Sequence, residues 1–135
     1  MSDPTASTPV AHLLVVDDSA FFRQFLGRVL SKAGYRVTLT DRGDTALGYL
    51  RSDPEDFQIL LTDVQMPHMD GRELARRARE LQPDLGVLLM SGAWVPAQEA
   101  AEDPTTPFLP KPFTYWQLLE ALEAIADGPS ASASH

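Results

Sequence analysis

Polar side chains that could hold a metal ion and a phosphoryl group follow four short apolar runs of the sequence. They are Asp17-Asp18, Asp63, Ser91 and Lys111. If the three acids met, they would repel one another, and at least one would be neutral unless a cation joined them. Mg²⁺ suits such a set because it takes carboxylates, a carbonyl, waters and phosphate oxygens in octahedral geometry. A hydroxyl and an ammonium nearby could hold the remaining phosphoryl oxygens, and phosphoryl transfer requires little more than such positioning and charge neutralisation.

These side chains meet only if the apolar runs are parallel strands of one sheet. The predicted strands are residues 13–16, 35–40, 59–62, 87–90 and 108–109. Amphipathic helical patterns separate them, so the sequence predicts an α/β fold with a doubly wound, five-stranded parallel sheet. The carboxyl ends of parallel strands share one edge, where such folds bind their ligands.

The helix boundaries follow from capping residues and glycines. The first helix should bury one stripe of side chains and end before Gly34. That stripe is Phe22, Phe25, Leu26, Val29 and Leu30. Asp44, Asp70 and Thr114 are predicted to cap the later helices. Three prolines between residues 93 and 107 predict a short or irregular fourth helix.

Composition excludes several classes of protein. The 135 residues carry a net charge of −8 and no cysteine, which argues against nucleic-acid binding, disulfides and thiolate metal sites. No apolar run approaches the ~18 residues that cross a bilayer, so we expect a cytoplasmic protein without a membrane partner. We predict a disordered leader over 1–10, one domain over 11–127 and a disordered tail over 128–135.

Each polar set also has an ordinary explanation when it is taken alone. Paired acids often cap helices, Ser91 before Gly92 could form a turn, and Lys111 between prolines could be a solvated loop charge. These explanations do not account for the shared edge of the sheet. The joint pattern therefore favours a functional site.

Four stretches in this order closely resemble the receiver domain of two-component response regulators. They are Val15-Val16-Asp17-Asp18-Ser19, Thr62-Asp63-Val64-Gln65-Met66-Pro67-His68-Met69-Asp70-Gly71, Met90-Ser91-Gly92 and Phe108-Leu109-Pro110-Lys111-Pro112-Phe113. The resemblance covers about residues 11 to 127. It implies a flavodoxin-like (βα)5 fold.

The resemblance also implies the chemistry of the site. Asp63 would accept a phosphoryl group from a sensor histidine kinase or a histidine phosphotransfer protein. Asp18 would bind Mg²⁺ directly, Asp17 mostly through water, and the Gln65 backbone carbonyl would be a further ligand.

The remaining family positions concern the response to phosphate. Ser91 would hydrogen-bond the phosphoryl group, and Lys111 would pair with it. Phe108 matches the aromatic switch position, which turns inward when the hydroxyl residue moves. By the same resemblance, the Lys111–Pro112 bond should be cis.

No output domain follows in this sequence, so the resemblance implies a stand-alone, single-domain regulator that acts on a downstream protein. We predict that Trp94, Phe108 and Trp116 line a surface for that partner or for a homodimer. Two alternatives stay open: a Mg²⁺-dependent aspartate-nucleophile phosphatase and a receiver-like docking module without phosphorylation. The phosphatase is disfavoured because its usual second acid, two residues after the nucleophile, is replaced by Gln65. No Gly-x-Gly-x-x-Gly follows the first strand, which disfavours a dinucleotide-binding enzyme.

Overall fold

Five parallel strands form a single sheet in a computed structural model that describes residues 11–92 and 106–133, with side chains described as far as 126. The strands are β1 (His12–Val16), β2 (Arg36–Thr40), β3 (Ile59–Asp63), β4 (Gly86–Ser91) and β5 (Phe108–Pro110). Their order across the sheet is β2-β1-β3-β4-β5, and every neighbouring pair is parallel. The predicted α/β parallel sheet is therefore confirmed.

Helices cover both faces of this sheet. They are α1 (Ala20–Lys32), α2 (Gly43–Ser52), α3 (Gly71–Leu81) and a last helix (Tyr115–Ala133), with one 3-10 turn at Pro54–Asp56. Among the described residues, no helix has the length and apolar character that crossing a membrane requires.

The side chains of β1 point alternately to the two faces of the sheet, and this divides the core into two layers. Leu14 and Val16 pack into a cluster with side chains of α2 and α3, whereas Leu13 and Val15 pack into a second cluster with α1 and the last helix. Successive side chains of a strand point to opposite faces, so a fully apolar strand is buried on both sides. Every residue of β1 and of β3 is buried.

Two of the three predicted caps are confirmed. Asp70 accepts a hydrogen bond from the Arg72 backbone N–H at 2.7 Å. Thr114 and Gln117 cap each other reciprocally, with side-chain to backbone distances of 3.0 and 2.8 Å. These contacts satisfy amide groups that have no partner within the helix.

The predicted cap at Asp44 is wrong. Helix α2 begins at Gly43, and Arg42 occupies the capping position without a side-chain hydrogen bond. Asp44 lies in the first turn, where its carboxylate pairs with Arg42 at 3.1 Å. An acid in the first turn is favoured by the helix dipole, which gives the same sequence signal as a cap.

Three further expectations differ from the structure or lie outside it. Phe25 is 44% exposed, because Leu26 and Leu30 carry the buried stripe of α1 and Phe25 lies at its margin. The last helix runs past the predicted boundary at 127 to Ala133, although Gly128 and Pro129 are both unfavourable in a helix interior. The predicted leader and fourth helix fall on residues 1–10 and 93–105, outside the described residues.

Helix α3 begins against the end of β3 at a contact that only glycine allows. The Gly71 backbone N–H donates to the Val64 carbonyl at 2.8 Å. A Cβ at position 71 would overlap the Asp63 carbonyl oxygen and lie 3.0 Å from the Val64 Cα. Backbone atoms cannot move aside as a flexible side chain can, so this glycine fixes the loop after Asp63.

We predict that Gly71→Ala lowers the free energy of unfolding by about 2 kcal/mol or more, because the new methyl group collides with backbone. Gly48→Ala is the matched control, since a Cβ at position 48 meets no atom within 4 Å. In helix α2 that change should be neutral or stabilise by about 0.5–1 kcal/mol. Urea denaturation of both variants measures this, and equal effects at the two positions would contradict the steric argument.

Candidate functional site

Two acids meet at the centre of the sheet because β1 and β3 are neighbours. Val16 pairs with Thr62, so the next residues, Asp17 and Asp63, lie side by side at the carboxyl edge. Carboxylate oxygens of Asp17, Asp18 and Asp63 all lie within 4.8 Å of one another. Asp17 and Asp63 are buried, whereas Asp18 is exposed. The structure thus brings together the three acids that the sequence analysis singled out.

Asp17 is held in place by hydrogen bonds to Ser19, to helix α1 and to the end of β2. Its Oδ1 accepts a hydrogen bond from the Ser19 N–H at 2.8 Å, and its carbonyl oxygen accepts one from the Arg23 guanidinium at 2.7 Å. Its own N–H donates to the Thr40 carbonyl at 3.2 Å. These contacts fix the buried carboxylate toward Asp63 and Lys111.

Lys111 places a positive charge against both buried carboxylates. Its ammonium lies 3.2 Å from Asp17 Oδ2 and 3.4 Å from Asp63 Oδ2, and its side chain is only 19% exposed. The Lys111 backbone N–H donates to the Ser91 carbonyl at 2.8 Å, which ties the loop after β5 to the end of β4. The Lys111–Pro112 bond is cis, as the resemblance implied.

Burial sets the electrostatics of Asp63. Loss of water around this carboxyl raises its pKa above the usual value. The positive charge of Lys111 opposes that shift, the negative charge of Asp17 adds to it, and a hydrogen bond from the Gln65 N–H at 3.3 Å opposes it. Ionisation of Asp63 is therefore less favourable than in water, and an additional cation beside it would favour the ionised form.

The donor set suits a hard divalent cation. Three carboxylates gathered at one sheet edge offer the oxygen ligands that Mg²⁺ prefers, and Asp18 leaves one side of the set open to solvent. Gln65 follows Asp63 by two residues, is exposed, and donates its backbone N–H to Asp63 Oδ1 at 3.3 Å.

The predicted switch residues lie at the ends of neighbouring strands. Ser91 ends β4 and is buried, next to the exposed Gly92. Phe108 begins β5 and packs against the core cluster beneath α2 and α3.

The predicted partner surface is not assembled within the described residues. Trp116 is 74% exposed, as predicted, and contacts Tyr115 with ring centroids 5.2 Å apart. It belongs to the last helix, which packs on the opposite face of the sheet from the side chain of Phe108. Trp94 lies outside the described residues.

Sequence reasoning missed one neighbour of the site. Phe22 was assigned only to the inner stripe of α1, yet its ring lies 4.1 Å from the Lys111 ammonium. It also lines an open cleft of about 290 Å³ with Phe25, Gly92, Lys111, Pro112 and Phe113. The only local signal was an aromatic residue three positions after Ser19, which caps the helix, and that spacing is too common to identify a site.

Comparisons with known proteins agree with this geometry. The family model for the response regulator receiver domain matches residues 13–123. The response regulator receiver protein CpdR of Brucella abortus is 43% identical over 115 residues, which cover 82% of this chain and 92% of CpdR. The response regulator MprA of Mycobacterium avium is 36% identical, and the match covers 84% of this chain and 50% of MprA.

A solved structure gives the same result for the fold. The chemotaxis protein CheY4 of Vibrio cholerae aligns with a TM-score of 0.75 at 31% sequence identity. The alignment covers 85% of this chain and 98% of CheY4.

We predict that Asp63→Asn raises the free energy of unfolding of the metal-free protein at neutral pH by about 1 kcal/mol. The raised pKa means that folded protein holds the Asp63 proton more tightly than unfolded chain does. Ionisation of Asp63 therefore lowers the free energy of unfolding as the pH rises above the ordinary carboxyl pKa of 3.8 and through the raised pKa of the folded protein.

Urea denaturation in the presence of a chelator measures this effect, and the gain should shrink as the pH is lowered toward 3.8. Asp70→Asn is a control of opposite sign, because the hydrogen bond from Arg72 lowers the pKa of Asp70. Loss of stability in Asp63→Asn at neutral pH would contradict the electrostatic argument.

Proposed function

The chain belongs to the response regulator receiver domains, which are signalling phosphoacceptor domains, and from this we propose that Asp63 is its phosphoacceptor. The donor is the phosphohistidine of a sensor histidine kinase or a histidine phosphotransfer protein. The observation that carries the proposal is the buried Asp63 carboxylate at the end of the central strand, with the Lys111 ammonium 3.4 Å away.

In the proposed reaction a carboxylate oxygen of Asp63 attacks phosphorus. A phosphorus–oxygen bond forms as the phosphorus–nitrogen bond to the donor histidine breaks, and the electron pair stays on the imidazole nitrogen. The nucleophile must be ionised, although burial raises its pKa. Lys111 favours the ionised form through its charge and its contact with Asp63 Oδ2.

Asp17, Asp18, Asp63 and the Gln65 carbonyl are the proposed ligands of Mg²⁺, which when bound would neutralise charge on the phosphoryl oxygens. Lys111 is proposed to pair with a phosphoryl oxygen on the other side of the group. The ammonium already lies between Asp17 and Asp63, so a short movement of a long side chain suffices.

Ser91 and Phe108 are proposed to convert phosphorylation into a change of surface. Ser91 ends the strand next to β3, from where its hydroxyl can donate to a phosphoryl oxygen. Phe108, on the edge strand β5, pairs in register with Leu89 of β4, which lies two residues before Ser91. Movement of the β4 end toward phosphate would thus alter the packing of Phe108.

Output by protein contact completes the proposal. The match to 92% of the length of CpdR supports a single-domain regulator that acts on a downstream protein target. Exposed Trp116 on the last helix is proposed to contact that target or a second copy of the chain. In this proposal the chain assists its own phosphorylation and dephosphorylation, turns over no external substrate, and works in the cytoplasm.

We predict that acetyl phosphate and Mg²⁺ label the protein and that Asp63→Asn abolishes the label, because an amide is not a nucleophile of this kind. Phosphate-affinity electrophoresis and mass spectrometry of intact protein measure the label. Asp84→Asn, an exposed acid before β4, is the matched control and should label like the unsubstituted protein.

Label that persists in Asp63→Asn would contradict the assignment of the phosphoacceptor. Sustained hydrolysis of phosphate monoesters, far beyond one equivalent per chain, would instead favour the aspartate-nucleophile phosphatase.

A further inference from the structure

The Lys111 ammonium has an aromatic neighbour besides its two carboxylates. It lies 4.1 Å from the centroid of the Phe22 ring, 3.2 Å from Asp17 Oδ2 and 3.4 Å from Asp63 Oδ2. A cation over the face of an aromatic ring within ~6 Å is attracted by the ring quadrupole, more strongly where water is excluded. With the side chain only 19% exposed, this contact is largely sheltered from solvent.

Phe22 is itself held firmly. Its backbone N–H donates to the Ser19 Oγ at the start of α1, at 3.3 Å. The Phe113 ring meets Phe22 edge-on at 5.9 Å between centroids, and the Phe25 ring stacks on it at 6.0 Å. The cap fixes the helical turn that carries Phe22, and the two ring contacts restrict its side chain.

The stem of Lys111 has fewer restraints. Gly92 offers no side chain on one side, and a Cβ there would lie 3.3 Å from the Lys111 Cδ. The cleft of about 290 Å³ opens beside the same stem. A four-carbon side chain next to open space samples several rotamers, and ordering it costs conformational entropy. The ring of Phe22 limits that freedom at the ammonium end.

We propose that Phe22 is a positioning residue that holds the Lys111 ammonium over its ring at the depth of Asp17 and Asp63. The inference deepens the proposed function and rests on it. An aromatic ring attracts the cation without adding a negative charge. Another acid in this position would repel both the incoming phosphoryl group and the three carboxylates already present.

The test compares the phosphorylation rates of variants that keep or lose the aromatic ring at position 22. Acetyl phosphate is the donor, so that no kinase surface contributes. Phe22→Leu keeps an apolar side chain but removes the ring, and the rate of Asp63 phosphorylation at saturating Mg²⁺ should fall about threefold to tenfold. Phe22→Tyr keeps the ring and should restore most of the rate. Phe21→Leu is the matched control, since Phe21 is 84% exposed, and should leave the rate unchanged.

A second measurement reads the contact directly and does not depend on phosphorylation. Protons over an aromatic face are shifted upfield, so the Lys111 ε-methylene resonance should lie upfield in the unsubstituted protein and in Phe22→Tyr. It should stay upfield when beryllofluoride and Mg²⁺ are added. If the Lys111 ε-methylene protons of the unsubstituted protein had random-coil chemical shifts, the inference would be overturned. This result does not depend on whether Phe22→Leu folds.

The outcomes separate this inference from the proposed function. Absence of label on Asp63 in the unsubstituted protein would overturn the proposed function, and the inference with it. Normal labelling with an unchanged rate in Phe22→Leu would overturn only the role of Phe22. An equal loss of rate in Phe22→Leu and Phe22→Tyr would do the same, because it would show that packing and not the ring matters.

Discussion

The arrangement of the site depends on three negatively charged side chains that lie close together at one edge of the sheet. Three carboxylates gather within 4.8 Å, two of them buried, and Lys111 is the basic side chain that pairs with the buried two. Removing acids from water is costly, and their mutual repulsion adds to that cost. One ammonium offsets only part of it, so the site is poised to take up further positive charge. A divalent cation would supply the positive charge that this edge lacks, both for the three acids and for an incoming phosphoryl group.

The fold supplies the rigidity that such a site requires. Buried strands β1 and β3 are adjacent, which fixes Asp17 beside Asp63, and the close approach of Gly71 to the Asp63 backbone fixes the loop that follows. The Lys111 backbone is tied to Ser91, so the end of β4 helps to place the loop after β5 that carries the lysine. Ser91 is thus hydrogen-bonded to the loop that carries Lys111, and it lies on the strand that pairs with Phe108 of the edge strand.

The sequence was sufficient to predict the sheet, its parallel strands and the acids that meet at its edge, because apolar runs that stop at polar residues have one simple arrangement. The sequence was less reliable where one residue pattern is compatible with several local structures. Asp44 in a first helical turn looks like a cap, and Phe25 at the margin of a stripe looks buried. The contact between Phe22 and Lys111 joins residues far apart in the chain, and no local pattern encodes that geometry.

The charge imbalance at Asp17, Asp18 and Asp63 is tested most directly by the dependence of folding stability on Mg²⁺. Binding to the folded state alone raises the free energy of unfolding by about 1.4 kcal/mol for each tenfold increase in ion concentration above the dissociation constant. We expect this rise in urea titrations from chelated to millimolar Mg²⁺, and a flatter dependence in Asp18→Asn, which removes the exposed ligand. A free energy of unfolding that stays constant across the titration would contradict the presence of a cation site at this edge.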